Sequence, residues 1–304
     1  MMGVHAGKYF TDKERRSQKR GPLLVALYFG IMIFVVTIVA LTAYHPASDN
    51  LLRGLTRENG LFEWGSVMIL LVLSIYSFRM FLVTLKKDTN PGNLYRLIFL
   101  CVSILSLLAA LEEISWGQHI IKFKAADILT NYNLQGEANI HNLIPATLFN
   151  GIIFAFVYIC FIFMPALYRI FRFTVPPYVL KLFPSTHTML IFAFASSLQA
   201  YFSYNITYLD TAALWSGLIL LSVMIFTEKK PLSAGELIHL ASVMACALFF
   251  MLNHGIFDYN NMQYEIREAI IAYGALVWFY NWTAGLAFKQ SSTCGNSVNI
   301  RVRQ

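Results

Sequence analysis

Charge is scarce in this chain. Only 13% of its 304 residues are charged, about half the roughly 25% usual in soluble domains. No polar stretch is long enough to form a separate soluble domain. Cysteine is sparse as well: Cys101, Cys160, Cys246 and Cys294 are scattered, which excludes a CxxC metal site and a disulfide framework. The first three fall within apolar runs and read as apolar fillers. A cleavable signal peptide is not expected. The basic segment before the first apolar run is long, and no small-x-small site follows at Ala43 to Pro46. Hydrophobic residues take up the difference at 57%. Five charge-poor runs stand out, Pro22 to Tyr44, Leu61 to Phe78, Leu97 to Leu111, Leu143 to Leu167 and Leu237 to Leu252, and a bilayer needs about 20 apolar residues per helix.

These runs predict an all-α fold, a polytopic transmembrane helical bundle of about eight spans. The expected helices cover residues 22–44, 61–82, 94–115, 143–167, 185–204, 211–227, 234–252 and 266–287. Pro22 suits a first helical turn, where a missing N–H costs nothing, and Pro184-Ser185-Thr186 reads as a helix start. The chain divides into a basic cytoplasmic arm at 1–21, the bundle at 22–288 and a polar cytoplasmic tail at 289–304, expected to be disordered. The fifth and sixth helices are only moderately hydrophobic, and their connection is short.

Orientation follows from charge. With both termini in the cytoplasm, only Arg53, Arg57, Lys122, Lys124 and Arg267 of the 23 Lys and Arg lie outside, as the positive-inside rule requires. Of the 16 acids, only Asp12, Glu14, Asp88, Glu228 and Glu236 lie inside. The net charge of +7 flanks apolar segments and forms no groove-like array. It therefore points to membrane orientation and not to nucleic acid.

Three polar islands fall at helix ends or loops on the outer side: EEISWGQH (Glu112 to His119), NLQGEANIHN (Asn133 to Asn142) and NHGIFDYNNMQYE (Asn253 to Glu265). A carboxylate at membrane depth is costly unless it is paired, protonated or facing water. Glu112 and Glu113 differ by 100° around a helix, so one can face the bundle while the other meets headgroups. His119 can share the face of Glu112 if the helix continues. The plainer alternative is an interfacial helix end with Trp116 as an aromatic anchor. In the second island Glu137 and His141 are spaced to meet on one helical face. Such a pair can ligate a divalent metal or act as base and orienting acid. Gln135, Asn139 and Asn142 can fix a polar ligand, or the whole segment can be a wet loop.

The third island repeats the spacing with His254 and Asp258, so two histidines and two carboxylates become available. Arg267 can hold an anionic group, or it can pair with Glu265, Glu268 or Glu63. Glu63 itself suits a helix N-terminus, where the dipole favours negative charge. On the inner side, the PSTH string at Pro184 to His187 superficially resembles an element of phosphatidic-acid-phosphatase-type enzymes, but the rest of their motif is absent. Glu236 and His239 read as an internal polar pair, or as one limb of a proton or ion path.

ENGLFEW (Glu58 to Trp64), EEISWGQH and NLQGEANIHN together resemble a largely uncharacterised family of bacterial multi-pass inner-membrane proteins. That family carries an EDG-x-x-EW-like start, then EEISWGQR and N-x-QGE-x-N-x-HN. Asn59 stands where Asp is usual, and His119 where Arg is usual. The resemblance covers at least residues 58–142. It implies a multi-pass place in the bacterial inner membrane and shared important residues, without an established activity. The ingredients are also similar to those of ceramidase-like intramembrane hydrolases, which hold zinc with His and acidic residues, although order and placement differ.

The leading expectation is a membrane-embedded hydrolase or transferase acting on a lipid or lipid-linked substrate at the outer face. Glu112, Glu113, Glu137 and Asp258 are its catalytic candidates. His141 and His254 are candidate ligands for a divalent metal such as zinc, and Arg267, Gln135, Asn139 and Asn142 are candidates for binding substrate. A transporter or ion-coupled channel is the alternative, and a structural or assembly protein a third. Partners are expected to be lipids, another copy of the chain or another membrane protein.

Overall fold

The computed structural model describes residues 26–41, 54–55, 60–86, 93–121, 146–199, 207–228, 233–252 and 262–296. Eight helices account for most of them: α1 (Ala26–Leu41), α2 (Leu61–Lys86), α3 (Asn93–Glu113), α4 (Ala146–Val157, continued below), α5 (Thr186–Gln199), α6 (Thr207–Thr227), α7 (Ala234–Leu252) and α8 (Met262–Asn296). Helix α4 passes through a π-helical turn at Tyr158–Phe163 and resumes as Met164–Phe171. There is no strand among the described residues. Four segments, Leu61–Leu85, Asn93–Glu113, Gly151–Phe171 and Ala234–Leu252, are long and apolar enough to cross a membrane. Outward-facing Met68, Val72, Ile75, Leu97, Ile104 and Leu105 are each about half or more exposed. Apolar surface on that scale suits lipid and not water. The chain is a multi-pass helical membrane protein.

Helix α5 is the centre of the bundle. It packs against α6, α7, α8 and the π turn of α4, and every residue from Thr188 to Leu198 is buried. A helix buried all round does not need an amphipathic stripe. Its hydroxyls are satisfied locally: Ser196 Oγ donates to Phe192 O at 2.8 Å and Ser197 Oγ to Phe194 O at 2.7 Å. Ser185 caps its start by accepting from Thr188 N–H at 3.3 Å, as the Pro-Ser-Thr string suggested. Gly274 lets α8 approach α5. A Cβ there would sit 3.0 Å from Phe192 Cε1 and 3.2 Å from Ile191 Cγ2, and small residues allow such close approach in membrane bundles. Gly274→Val is therefore expected to lower stability by about 1–3 kcal/mol through overpacking. Thermal unfolding in detergent would measure this, and an unchanged midpoint would show that the two helices can part freely.

Helices α2 and α3 form an antiparallel pair clamped by reciprocal bonds. Ser74 Oγ donates to Ser103 O at 2.9 Å, and Ser103 Oγ donates to Ser74 O at 3.0 Å. Helix α8 lies along α2, with Tyr76 Oη and Thr283 Oγ1 2.8 Å apart. Further along the chain, Trp278 Nε1 donates to Leu182 O at 2.7 Å, which ties α8 to the turn before α5.

Two expectations need correction. Helix α3 stops at Glu113, so the spacing that would align His119 with Glu112 no longer applies. Helix α8 runs from Met262 to Asn296, longer at both ends than the expected 266–287.

Candidate functional site

Three helix ends meet at one end of the bundle. Glu63 lies in the first turn of α2, Glu113 is the last residue of α3, and Glu265, Arg267 and Glu268 lie near the start of α8. The antiparallel run of α3 against α2 brings its C-terminus back to the start of α2, and α8 begins beside them. Glu265 and Glu268 are three apart, so they share a helix face. Carboxylate oxygens of Glu113, Glu265 and Glu268 all lie within 4.8 Å of one another. Glu113 interacts electrostatically with Glu268, Glu265, Glu63 and Glu112.

Arg267 belongs to this cluster from beneath. It is 2% exposed, and its Nη2 lies 3.3 Å from Glu268 Oε1. Glu63 is buried too. Carboxylates this close call for compensating charge, from cations such as Arg267, from a bound metal ion or from protons held among the acids. Burial makes Arg267 a counter-charge, the second of the two roles open to it from sequence.

A strained turn follows the two acids. After Glu113 the backbone turns left-handed at Ser115, Trp116 and Gly117, with φ of 47°, 56° and 83°. A non-glycine residue pays about 1–2 kcal/mol there, so the surroundings must hold it. Gly117 N–H donates to Ile114 O at 2.8 Å, and Trp116 Nε1 donates to Glu112 Oε2 at 2.7 Å. The indole thus holds Glu112, while the Glu113 carboxylate meets those of Glu265 and Glu268 on α8. Strain of this kind clusters at functional sites.

Among the residues singled out from sequence, Glu113 and Arg267 come together, with Glu112 alongside. Gln135, Glu137, Asn139, His141, Asn142, His254 and Asp258 lie outside the described residues. The sequence reading missed Glu265 and Glu268 as site residues, treating them only as partners for Arg267. The available signal was an E-x-x-E pair opening a long helix.

The trio offers oxygen donors only. Such donors suit Mg²⁺, Mn²⁺ or Ca²⁺, whereas zinc sites usually draw on nitrogen or sulfur ligands. The buried acidic cluster is thus compatible with a divalent metal, and its donor set favours a hard one.

The opposite end of the bundle is polar as well. Arg169 at the end of α4 donates to Thr186 Oγ1 at 2.9 Å and Pro184 O at 2.6 Å, and lies 3.5 Å from Glu228. Next to it, His187 and His239 meet at 3.1 Å between their Nδ1 atoms. The hydrogen-bond partner of His239 is thus a histidine on α5. No protein-family model, no curated protein and no solved structure matches this chain.

Proposed function

We propose that the protein is a metal-dependent hydrolase or transferase of a bacterial inner membrane, acting at the outer face on a lipid or lipid-linked substrate. The observation that carries this reading is the convergence of Glu113, Glu265 and Glu268 from two helices over the buried Arg267. In this reading the three carboxylates hold one divalent cation, whose chemistry is to lower the pKa of a bound water and polarise an ester or phosphoryl oxygen. Arg267 holds Glu268 in place and balances charge. Glu112, held by Trp116, faces the side from which a headgroup would arrive. The motif resemblance noted for residues 58–142 agrees with this reading, because Glu63 and Glu113 lie inside it.

A lipid is favoured by position. The acids sit at the ends of spans, at headgroup depth, and the basic residues that mark the cytoplasm lie at the other end of the bundle. Purified protein incubated with labelled bacterial lipid extract tests the proposal. Conversion of a lipid is expected with Mg²⁺ or Mn²⁺, and it should be lost with chelator and in Glu268→Gln. Absence of any converted lipid across Mg²⁺, Mn²⁺, Ca²⁺ and Zn²⁺ would count against it.

A further inference from the structure

We infer that His187 and His239 form an acid-released latch between α5 and α7, at the end of the bundle away from the carboxylates. Their hydrogen bond holds while at most one of the two rings carries a second proton, and it opens when both do. This goes beyond the metal-dependent activity and does not require it.

The two Nδ1 atoms lie 3.1 Å apart, the rings are inclined by 18°, and their centroids are 5.4 Å apart. The centroid separation exceeds the nitrogen separation by about two ring radii. The Nδ1 atoms therefore face each other head on, with one hydrogen between them. A metal ion on that line would sit at half of 3.1 Å from each nitrogen, well inside the roughly 2.0 Å of a metal–nitrogen bond. The contact is a hydrogen bond and not a metal site. His187 is the second residue of α5 and His239 the sixth of α7, so it joins the starts of both helices. A Cβ on Gly235 would lie 4.0 Å from His187 Cε1, which places the first turn of α7 against that ring.

The bond is conditional because two of the four ring nitrogens share one hydrogen. With both rings neutral, one proton lies in the bond and one sits on Nε2 of the accepting ring. A further proton on Nε2 of the donating ring leaves the bond in place and makes it charge-assisted. The next proton has only the accepting Nδ1 left to take. Two N–H groups on two positive rings would then face each other across 3.1 Å, and the rings must part. His239 is 0% exposed and packs against Tyr28 and Phe29 of α1, so it is held in place. His187 is half-buried and is the ring that leaves.

Opening binds one proton, so its equilibrium constant rises as pH falls, by up to about tenfold per pH unit. Histidine sets the range, since an unconstrained ring takes its second proton at about pH 6.5. The titratable and charged groups around the pair come from every neighbouring helix. Tyr28 of α1 lies against His239 and interacts with Cys246 of α7 and Tyr273 of α8. Arg169 of α4 donates to Thr186 Oγ1 beside His187 and lies 3.5 Å from Glu228 of α6. It also interacts with Glu236 of α7 and with Arg172. The bonds from Arg169 to Thr186 and to Pro184 O involve neither histidine. They keep the start of α5 tied to α4 and α6 while α7 is released.

Hydrogen–deuterium exchange of the full chain in detergent tests the proposal, from about pH 7.5 down to about pH 5, with rates corrected for the intrinsic pH dependence of amide exchange. Chelator in every sample keeps the carboxylate site out of the measurement. In wild type, opening of the first two turns of α7 is expected to rise as pH falls, approaching about tenfold per unit at the acid end. His187→Gln should remove that rise, because its amide can still bond Nδ1 of His239 but takes no proton. His239→Gln should do the same. Should that buried variant not fold, His187→Gln, at a half-buried position, carries the test alone. Opening that is independent of pH in wild type would overturn the proposal. So would a rise that persists in His187→Gln, which would assign the effect to the burial of His239 and not to the pair.

Discussion

Replacing Arg267 with methionine is expected to destabilise the protein by about 1–3 kcal/mol, short of the full penalty for a wholly buried pair because Glu268 is 28% exposed. The side chain is 2% exposed and lies 3.3 Å from Glu268, within a group of acids that includes Glu113, Glu265 and Glu63. Methionine fills much of the same volume, so the loss would be electrostatic rather than a cavity effect. Two further results should accompany it. Glu268→Gln in the Arg267→Met background should recover part of the stability, because neighbouring charges are not additive. A divalent cation should stabilise Arg267→Met more than wild type if the acids bind it, since a ligand that binds only the folded state raises stability. Thermal unfolding in detergent, with and without Mn²⁺, reads both. A change below about 1 kcal/mol, in the range of exposed pairs, would mean that water reaches the guanidinium and that the cluster is an open surface.

The second large effect concerns the donors themselves. Glu113→Gln keeps shape and one oxygen but removes charge, and a weaker metal complex is expected. The loss should at least match the 10–100-fold typical of outer-shell changes, because Glu113 is one of the three donors brought together among the described residues. Acid should act in the same direction. Carboxylate ligands must be deprotonated to bind, so affinity is fully present at higher pH and falls as pH drops through the titration of the cluster. Calorimetric titration at several pH values measures this. Equal affinity in Glu113→Gln and wild type would place the metal elsewhere.

Much of the bundle was legible because hydropathy runs report span length directly. The runs at Leu61 to Phe78 and Leu97 to Leu111 became α2 and α3 nearly as drawn. Helix α5, only moderately hydrophobic like α6, proved to be the central helix. Thr188, Ser196 and Ser197 lower its hydropathy, yet their hydroxyls bond locally, to neighbouring backbone or to the capping Ser185. Composition therefore understated its burial.

The candidate site was half legible. Glu113 was visible as an acid ending an apolar run, and Arg267 as a basic residue on the wrong side. The direction of Glu113 was not, because Glu112 and Glu113 differ by 100° around the helix and only the placement of α8 shows which of them it meets. Glu265 and Glu268 were hidden by attention to histidine spacing. Their role emerges only when α8 is laid against α2 and the end of α3, a tertiary fact no local pattern contains.

The central claim is that Glu113, Glu265 and Glu268 together hold one divalent cation, and Mn²⁺ binding followed by electron paramagnetic resonance tests it most directly. Wild-type protein in detergent at neutral pH should quench the free Mn²⁺ signal to saturation at one site per chain, and the Glu265→Gln/Glu268→Gln double variant, still folded by size-exclusion chromatography, should leave the signal free. A wild-type titration that follows buffer alone, or saturable binding that survives intact in the double variant, would contradict the account.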